Sequence, residues 1–566
     1  MLLSRCSERI AMRVICGVVV IAIGTLLHVG CTQKPSVSTG GSSKSGSVSQ
    51  FKFELQELSE DTASITYRNG EEGKQYSILE SLGGGVGLVD YDQDGNLDVW
   101  LAGGGSLSDH RITPGNCSLL RNCNGQRFVN VHQVLPESTH YNHGVSVADY
   151  DNDGFPDLLI TGYGGIQLLM NQGDGTFSDA THNSHLIQDE LWSSSAAWGD
   201  FNSDGFVDLY VAHYVNWSFD TNPHCNAPFA GQRDVCSPNE FQALNHSFFL
   251  SLADGTFEET SSRCGLVEGG KGLGVIAADL NEDGHLDLYV ANDTTANFLY
   301  KGDGSGHFEE LALIAGVAVD GSGAPNGSMG ICLWDFDNDL RPDLWVTNYE
   351  NESIAAYQNR GNMMFGWVSE KMGLAAIGRS FVGFGIVSGD FDGDGDEDIV
   401  VTNGHVIQFP ANSTLDQIPL LFENSGTLRM AKQSFPSNDY FAKKHRGRGV
   451  VRGDIDNNGS LDLVFSHVNE PPVILVNRSE TRTLKLRLIG SQCNRDCIGT
   501  SITLETDKNK YARWISGGGS YLSQNPYEQY WCVAKGERPI RFHIQLPNTT
   551  EKQVVQIDND VMTLVF

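Results

Sequence analysis

The chain alternates short apolar runs with one recurring acidic loop. Runs such as GVGLV, GVSVA, GVIAA and GICLW precede the loop, and runs such as DVWLA, DLLIT, DLYVA and DIVVT follow it. The second set is rich in β-branched and aromatic residues, so each pair predicts a β-hairpin joined by the acidic loop. Most copies are followed by another apolar run, a Gly/Asn turn and Phe, as in LLMNQGDGTF and FFLSLADGTF. The loops start at Asp90, Asp149, Asp200, Asp279, Asp335, Asp390 and Asp454, spaced 51 to 79 residues apart. Four-stranded units repeated seven times, with no amphipathic helical stretches between them, predict an all-β fold with a seven-bladed β-propeller over residues 51–480. A linear solenoid would have shorter, more regular repeats, and lone hairpins bury too little to be stable. The seventh unit lacks its Gly-x-Phe strand, while FKFELQEL from Phe51 resembles the fourth strand of the others. It is expected to pair into the seventh unit and leave no open edge.

The loops carry the candidate chemistry. In D-x-D-x-D-G-x-x-D, carboxylates at positions 1, 3 and 5 alternate along a tight turn, and the ninth residue closes the shell. The candidate ligands are Asp90, Asp92, Asp94 and Asp98; Asp149, Asp151, Asp153 and Asp157; Asp200, Asn202, Asp204 and Asp208; and Asp279, Asn281, Asp283 and Asp287. The last three loops offer Asp335, Asp337, Asp339 and Asp343; Asp390, Asp392, Asp394 and Asp398; and Asp454, Asp456, Asn458 and Asp462. An irregular all-oxygen shell suits Ca²⁺ better than Mg²⁺, with modest affinity of about 10⁻⁴–10⁻³ M. Without a cation, carboxylates this close repel one another. Asn202, Asn281 and Asn458 each remove one charge, and Leu340 stands where the turn calls for Gly.

Charge narrows the partners. The sequence has 38 Lys+Arg against 70 Asp+Glu, a formal net charge of -32, which repels phosphate backbones and argues against nucleic acid. Arg5, Arg9 and Arg13 precede an apolar run from Val14 to Leu27, then Val29-Gly30-Cys31. This predicts a signal peptide over 1–30, with the Cys31 context resembling the bacterial lipobox and implying lipidation there. Residues 31–50 read as a flexible Ser/Gly linker. The expected location is outside the cytoplasm, anchored by lipid at the outer membrane or cell surface. In an exported protein Cys225 with Cys236, Cys117 with Cys123 and Cys493 with Cys497 are disulfide candidates, although spacing alone does not set connectivity.

From 481 to 566 the repeat stops and a small β-rich domain is expected, with strands such as LKLRLIG, SITLETD and IRFHIQL. The loops and Gly-x-Phe elements resemble FG-GAP/VCBS-type repeats, as in integrin α-subunit propellers. Asn494-Arg495-Asp496-Cys497-Ile498-Gly499 and Ser520 to Asn525 resemble the ASPIC/UnbV domain. Cys493 and Cys497 replace the usual small residues there, which implies a local disulfide. Together the two halves resemble the cartilage acidic protein 1 family. That resemblance implies an extracellular calcium-binding protein with binding, adhesion or scaffold roles and no catalytic residues.

No G-x-S-x-G, H-E-x-x-H or Walker signature occurs, and His143 and His405 read as structural. The expected partner is an extracellular glycan or protein, and the insertion His213–His246 with Tyr214, Trp217, Phe219 and Phe229 is a candidate binding face or a disulfide-pinned cover. The alternative is an exported hydrolase or lyase acting on polysaccharide through a propeller pocket. Arg495, Asp496, Tyr521 and Gln524 could form a small polar ligand site or a network that fixes turns.

Overall fold

The computed structural model describes residues 51–186, 191–227, 231–479 and 482–566. The predicted signal peptide, Cys31, the linker and Phe229 lie outside the described residues. Among the described residues no helix is long and apolar enough to cross a membrane.

Each acidic loop joins two antiparallel strands, and two more strands complete a four-stranded sheet. The first sheet is Val86–Val89, Asp98–Leu101, Ser118–Cys123 and Arg127–Asn130. The same order recurs in sheets that begin at Tyr141–Ala148, Ser193–Gly199, Gly272–Ala278, Ile331–Trp334, Gly383–Gly389 and Gly447–Gly453. These first strands are almost wholly buried on both faces, which is why they read as small-residue apolar runs without alternation. Each lies against the first strand of the next sheet, and Gly447–Gly453 lies against Val86–Val89. The fold is therefore all-β and propeller-like. Its cores lie between neighbouring sheets, as where Phe201 and Phe248 of the third meet Tyr300 and Phe308 of the fourth.

The final sheet takes its fourth strand from the other end of the chain. Phe53–Leu55 pairs antiparallel with Val473–Asn477, with Phe53 opposite Asn477. Phe53 packs against Phe391 and Phe441, so the strand is held by core contacts as well as by its ladder.

The C-terminal residues form two small sheets. One places Thr483–Ile489 between Gln529–Cys532 and a parallel Val561–Val565, and the other orders Lys510–Trp514, Ser501–Thr506, Pro539–Gln545 and Lys552–Gln556. Leu486, Ile498, Ile502 and Ile544 from this region share a core with Leu159, Trp198 and Leu209 of the second and third sheets.

Candidate functional site

Backbone hydrogen bonds to carboxylates build the seven loops in one way. The position-1 aspartate accepts from the N–H at position 6 in every loop, at 2.7–3.2 Å. The residue at position 5 accepts from the N–H at position 7 at 2.7–3.1 Å. The ninth aspartate accepts from the position-2 N–H with one oxygen, at 2.7–3.3 Å. Its other oxygen accepts from an N–H of the sheet's third strand, at 2.6–3.1 Å. Spacing alone assigns the ninth aspartate to the shell; its buried carboxylate also ties loop to sheet.

Two positions per loop require left-handed backbone. Position 6 has φ between +70° and +103°, and glycine supplies it everywhere except at Leu340, where φ is +70°. Position 4 is also left-handed, at Gln93, Asn152, Ser203, Glu282, Asn338, Gly393 and Asn457. Three of these side chains hydrogen-bond to another acidic loop: Gln93 donates to Gly154 O, Asn152 donates to Gly205 O at 3.2 Å, and Asn457 donates to Gly95 O at 3.3 Å.

In five loops three carboxylates present oxygens within 4.8 Å of one another: Asp90, Asp92 and Asp94; Asp149, Asp151 and Asp157; Asp335, Asp337 and Asp339; Asp390, Asp392 and Asp398; and Asp454, Asp456 and Asp462. Burial pushes Asp149 up to about 7 and Asp390 up to about 8, and neighbouring carboxylates add to it. Six buried oxygens of candidate ligands in these loops have no hydrogen-bond partner: Asp90 Oδ1, Asp92 Oδ1, Asp149 Oδ1, Asp337 Oδ1, Asp392 Oδ2 and Asp454 Oδ1. The loops from Asp200 and Asp279 differ. Asn202 Nδ2 donates to Asp204 at 2.9 Å, and Asn281 Nδ2 donates to Asp287 at 3.2 Å. Lys301 adds an ion pair to Asp283 at 3.1 Å. Arginines also enter three of the triads, with Arg121 on Asp92 at 2.7 Å, Arg341 on Asp339 at 2.7 Å and Arg478 on Asp456 at 2.5 Å.

The C-terminal segment 517–525 runs along the first strands of the sheets. Ser520 pairs with Ile331, Gly517–Gly518 adds to Gly272–Ala278, and Gln524 exchanges backbone hydrogen bonds with Val86 and Leu88 at 3.0 Å. Leu522 O accepts from Val145 N at 3.2 Å, Ser520 Oγ accepts from Ile386 N at 3.2 Å and donates to Val450 O at 3.0 Å. A Cβ on Gly517 would sit 1.8 Å from Trp198 O. All seven first strands thus touch this one segment. Buried Tyr521 packs on Phe384 with centroids 4.8 Å apart, and Arg448 stacks on the same ring at 4.1 Å.

Comparison with known sequences agrees with this division. The FG-GAP-like repeat family matches residues 90–160, 149–211, 279–346 and 335–401, and the ASPIC and UnbV family matches 490–564. The chain carries FG-GAP-like repeats and an ASPIC and UnbV domain. Cartilage acidic protein 1 of Mus musculus is 22% identical over 468 residues, 78% of this chain and 67% of the relative. The Homo sapiens protein is 21% identical over 481 residues, 80% and 67% of the two chains. Among solved structures, the BP39L lectin from Burkholderia pseudomallei has a TM-score of 0.41 at 11% identity, covering 70% of this chain and 96% of its own.

Within the ASPIC and UnbV domain, the four polar residues singled out from sequence divide. Asp496 accepts from Asp149 N at 2.8 Å and Arg495 N donates to Asn152 at 3.0 Å, which ties the domain to the second FG-GAP loop. Tyr521 and Gln524 go into the segment along the first strands. All four therefore join the domain to the repeats.

The cysteine candidates need correction. Cys225 and Cys236 form a disulfide, S–S 2.09 Å. Cys117 and Cys123 are free, because Ser118–Cys123 is one extended strand and six residues at about 3.3 Å each hold them too far apart. Cys493 and Cys497 are also free thiols here, with sulfurs 4.0 Å apart, beyond bonding distance, across a turn held by Asn494 hydrogen bonds to Ile498.

In the insertion between the second and third strands of the third sheet, Tyr214 and Trp217 are buried against Trp192 and Tyr163, so they serve as core. Asp234 of the same insertion accepts from the Gln408 and Phe409 N–H groups at 2.8 and 2.9 Å. That arrangement is a cover pinned by its disulfide. His143 accepts from Trp192 Nε1 at 2.9 Å, and His405 Nδ1 accepts from Val406 N and Ile407 N at 3.0 and 3.2 Å. Both are buried and structural.

Proposed function

We propose that this chain is an exported, lipid-anchored calcium-binding scaffold that works by binding an extracellular glycan or protein, with its seven sheets acting as blades of a closed propeller. One observation carries the calcium reading: buried carboxylate oxygens without partners gather in the acidic loops. Among the described residues every such oxygen lies in an acidic loop; the one that is not on a candidate ligand, Glu397 Oε1 of the sixth loop, faces Arg452 and Arg513 at 3.6 and 3.1 Å. Carboxylate oxygens within 4.8 Å repel by on the order of 3–4 kcal/mol per pair at an effective dielectric of about 20. A hard divalent cation held by these aspartates would remove that repulsion and satisfy the orphaned oxygens. Its role is structural: it sets the hairpins that connect the first two strands of each blade.

The binding reading follows from what the central axis contains. A polysaccharide-cleaving pocket there would need open space and free acid groups. The ASPIC and UnbV segment occupies that line instead, leaving about 70 Å³ beside Ile331, Cys332 and Arg452 and about 330 Å³ beside Leu88, Val147 and Asp496. Similarity to cartilage acidic protein 1, whose name carries no enzymatic activity, supports the same reading. Export and lipidation rest on the basic start, the apolar run Val14–Leu27 and Cys31. The test is thermal melting of the purified chain with calcium or with EDTA, together with bound-metal analysis. A lower melting temperature in EDTA is expected; an unchanged one, with no calcium bound, refutes the cage reading.

A further inference from the structure

A second cavity lies on the face opposite the acidic loops, where the chain enters the first sheet. It is an open depression of about 570 Å³, within the usual range for ligand pockets. Two aromatic side chains, Tyr76 and Phe409, line it together with Arg68, Lys74, Glu72 and Glu80. Tyr76 is held at a cost in stability, with Arg233 over its ring at 5.7 Å. Tyr76 has φ +50° and Lys74 also has φ +50°, a conformation that bulky L-residues avoid and that gathers at ligand clamps. Phe409 is 37% exposed, yet its backbone N–H is fixed by buried Asp234 from the disulfide-pinned insertion. An exposed ring positioned by a buried carboxylate has no evident role in the core.

The polar lining is built as carefully. Glu80 is 3% exposed and its Oε1 accepts from Ser77 N and Ser77 Oγ at 3.0 and 3.2 Å. Glu71, at the pocket wall, is pinned by Gln408 at 2.9 Å, Arg446 at 2.5 Å and Asn469 at 2.9 Å. Acidic and basic groups are mixed, so neither a phosphate nor a polycation is favoured. A sugar ring matches this set: its C–H face packs on an aromatic ring, and its hydroxyls donate and accept at once, pairing with carboxylate and guanidinium groups.

We infer that the cavity between Tyr76 and Phe409 is a binding site for a sugar unit of an extracellular glycan. This deepens the binding role proposed above and rests on it. The ring-bearing side chains grip the sugar faces, while Glu72, Arg68 and Lys74 read its hydroxyls and buried Glu80 backs the wall.

The full chain is applied to an array of neutral and uronic-acid oligosaccharides beside an array of peptides, and compared with Tyr76→Gly and Phe409→Ala. Tyr76→Gly removes a ring while relieving the left-handed strain, so its melting temperature should hold or rise and misfolding cannot mimic the result. Glycan retention by the wild type, reduced about tenfold or more by each substitution, is the expected result. Glycan retention that survives both substitutions overturns this pocket and leaves the broader binding role standing. Retention of peptides alone overturns the sugar assignment. No retention on either array overturns both readings.

Discussion

Ser520 and Ile331 exchange two backbone hydrogen bonds, 2.6 Å from Ser520 N to Ile331 O and 3.0 Å in return. They are 189 residues apart, and the pair joins the ASPIC and UnbV domain to the fifth sheet. The same short segment reaches every other sheet, so the domain and the repeats are expected to unfold together.

That unity is tested at Gly517, where an added Cβ would meet Trp198 O at 1.8 Å. Gly517→Ala is expected to destabilise the whole chain by about 2–4 kcal/mol, because backbone on both sides must move. Denaturant unfolding followed by tryptophan fluorescence checks it; a loss confined to the C-terminal strands would mean that the two parts fold independently.

Leu340 occupies a turn position that is glycine in the other six loops, at φ +70°. Leu340→Gly relieves a left-handed penalty of about 1–2 kcal/mol, partly offset by the added entropy of the unfolded chain. A net gain of about 0.5–1 kcal/mol should appear in chemical denaturation, and the N–H to Asp335 is retained.

Metal content should follow the loop chemistry. Calcium per chain, measured by atomic emission after equilibrium dialysis, should not exceed five, the number of carboxylate triads. Asn202→Asp and Asn281→Asp replace an amide that occupies a neighbouring carboxylate with an oxygen ligand. Each should raise the count toward one more, unless the Lys301 ion pair with Asp283 holds the fourth loop closed.

Glu80 gives a pH signature away from the loops. Burial first, then Glu71 nearby, push its carboxyl up to about 7 against Ser77 hydrogen bonds that lower it. The folded chain therefore holds a proton that the unfolded chain has lost, so stability falls as pH rises from about 4.5 to about 7. Glu80→Gln should flatten that part of the profile and raise stability at pH 8 by about 1–2 kcal/mol, read as the difference between the two chains' denaturation midpoints. Parallel profiles would remove Glu80 as the source.

Much of the fold was legible because its signals are local. An acidic loop between two short apolar runs specifies a hairpin through turn chemistry and β-branched composition, and the Gly-x-Phe turn specifies the outer strands. The pairing of Phe53–Leu55 with Val473–Asn477 could be read from likeness to the other outer strands. Leu340 announced its own strain. The site was legible only in part. Carboxylate spacing identified the triads, whereas the arginines on Asp92, Asp339 and Asp456 and the amide closure at Asn202 and Asn281 depend on side-chain directions that spacing does not carry.

By itself, then, the sequence determined the hairpins, the count of acidic loops and the boundary where the repeat ends, since each is set by residues within one turn or strand. The tertiary structure alone decided that residues 517–525 line the first strands of every sheet, that Cys225 meets Cys236 while Cys117 and Cys123 stay apart, and that Tyr76 and Phe409 share one cavity. Those juxtapositions join residues up to hundreds of positions apart, and only closure of the chain on itself brings them within hydrogen-bonding or packing distance.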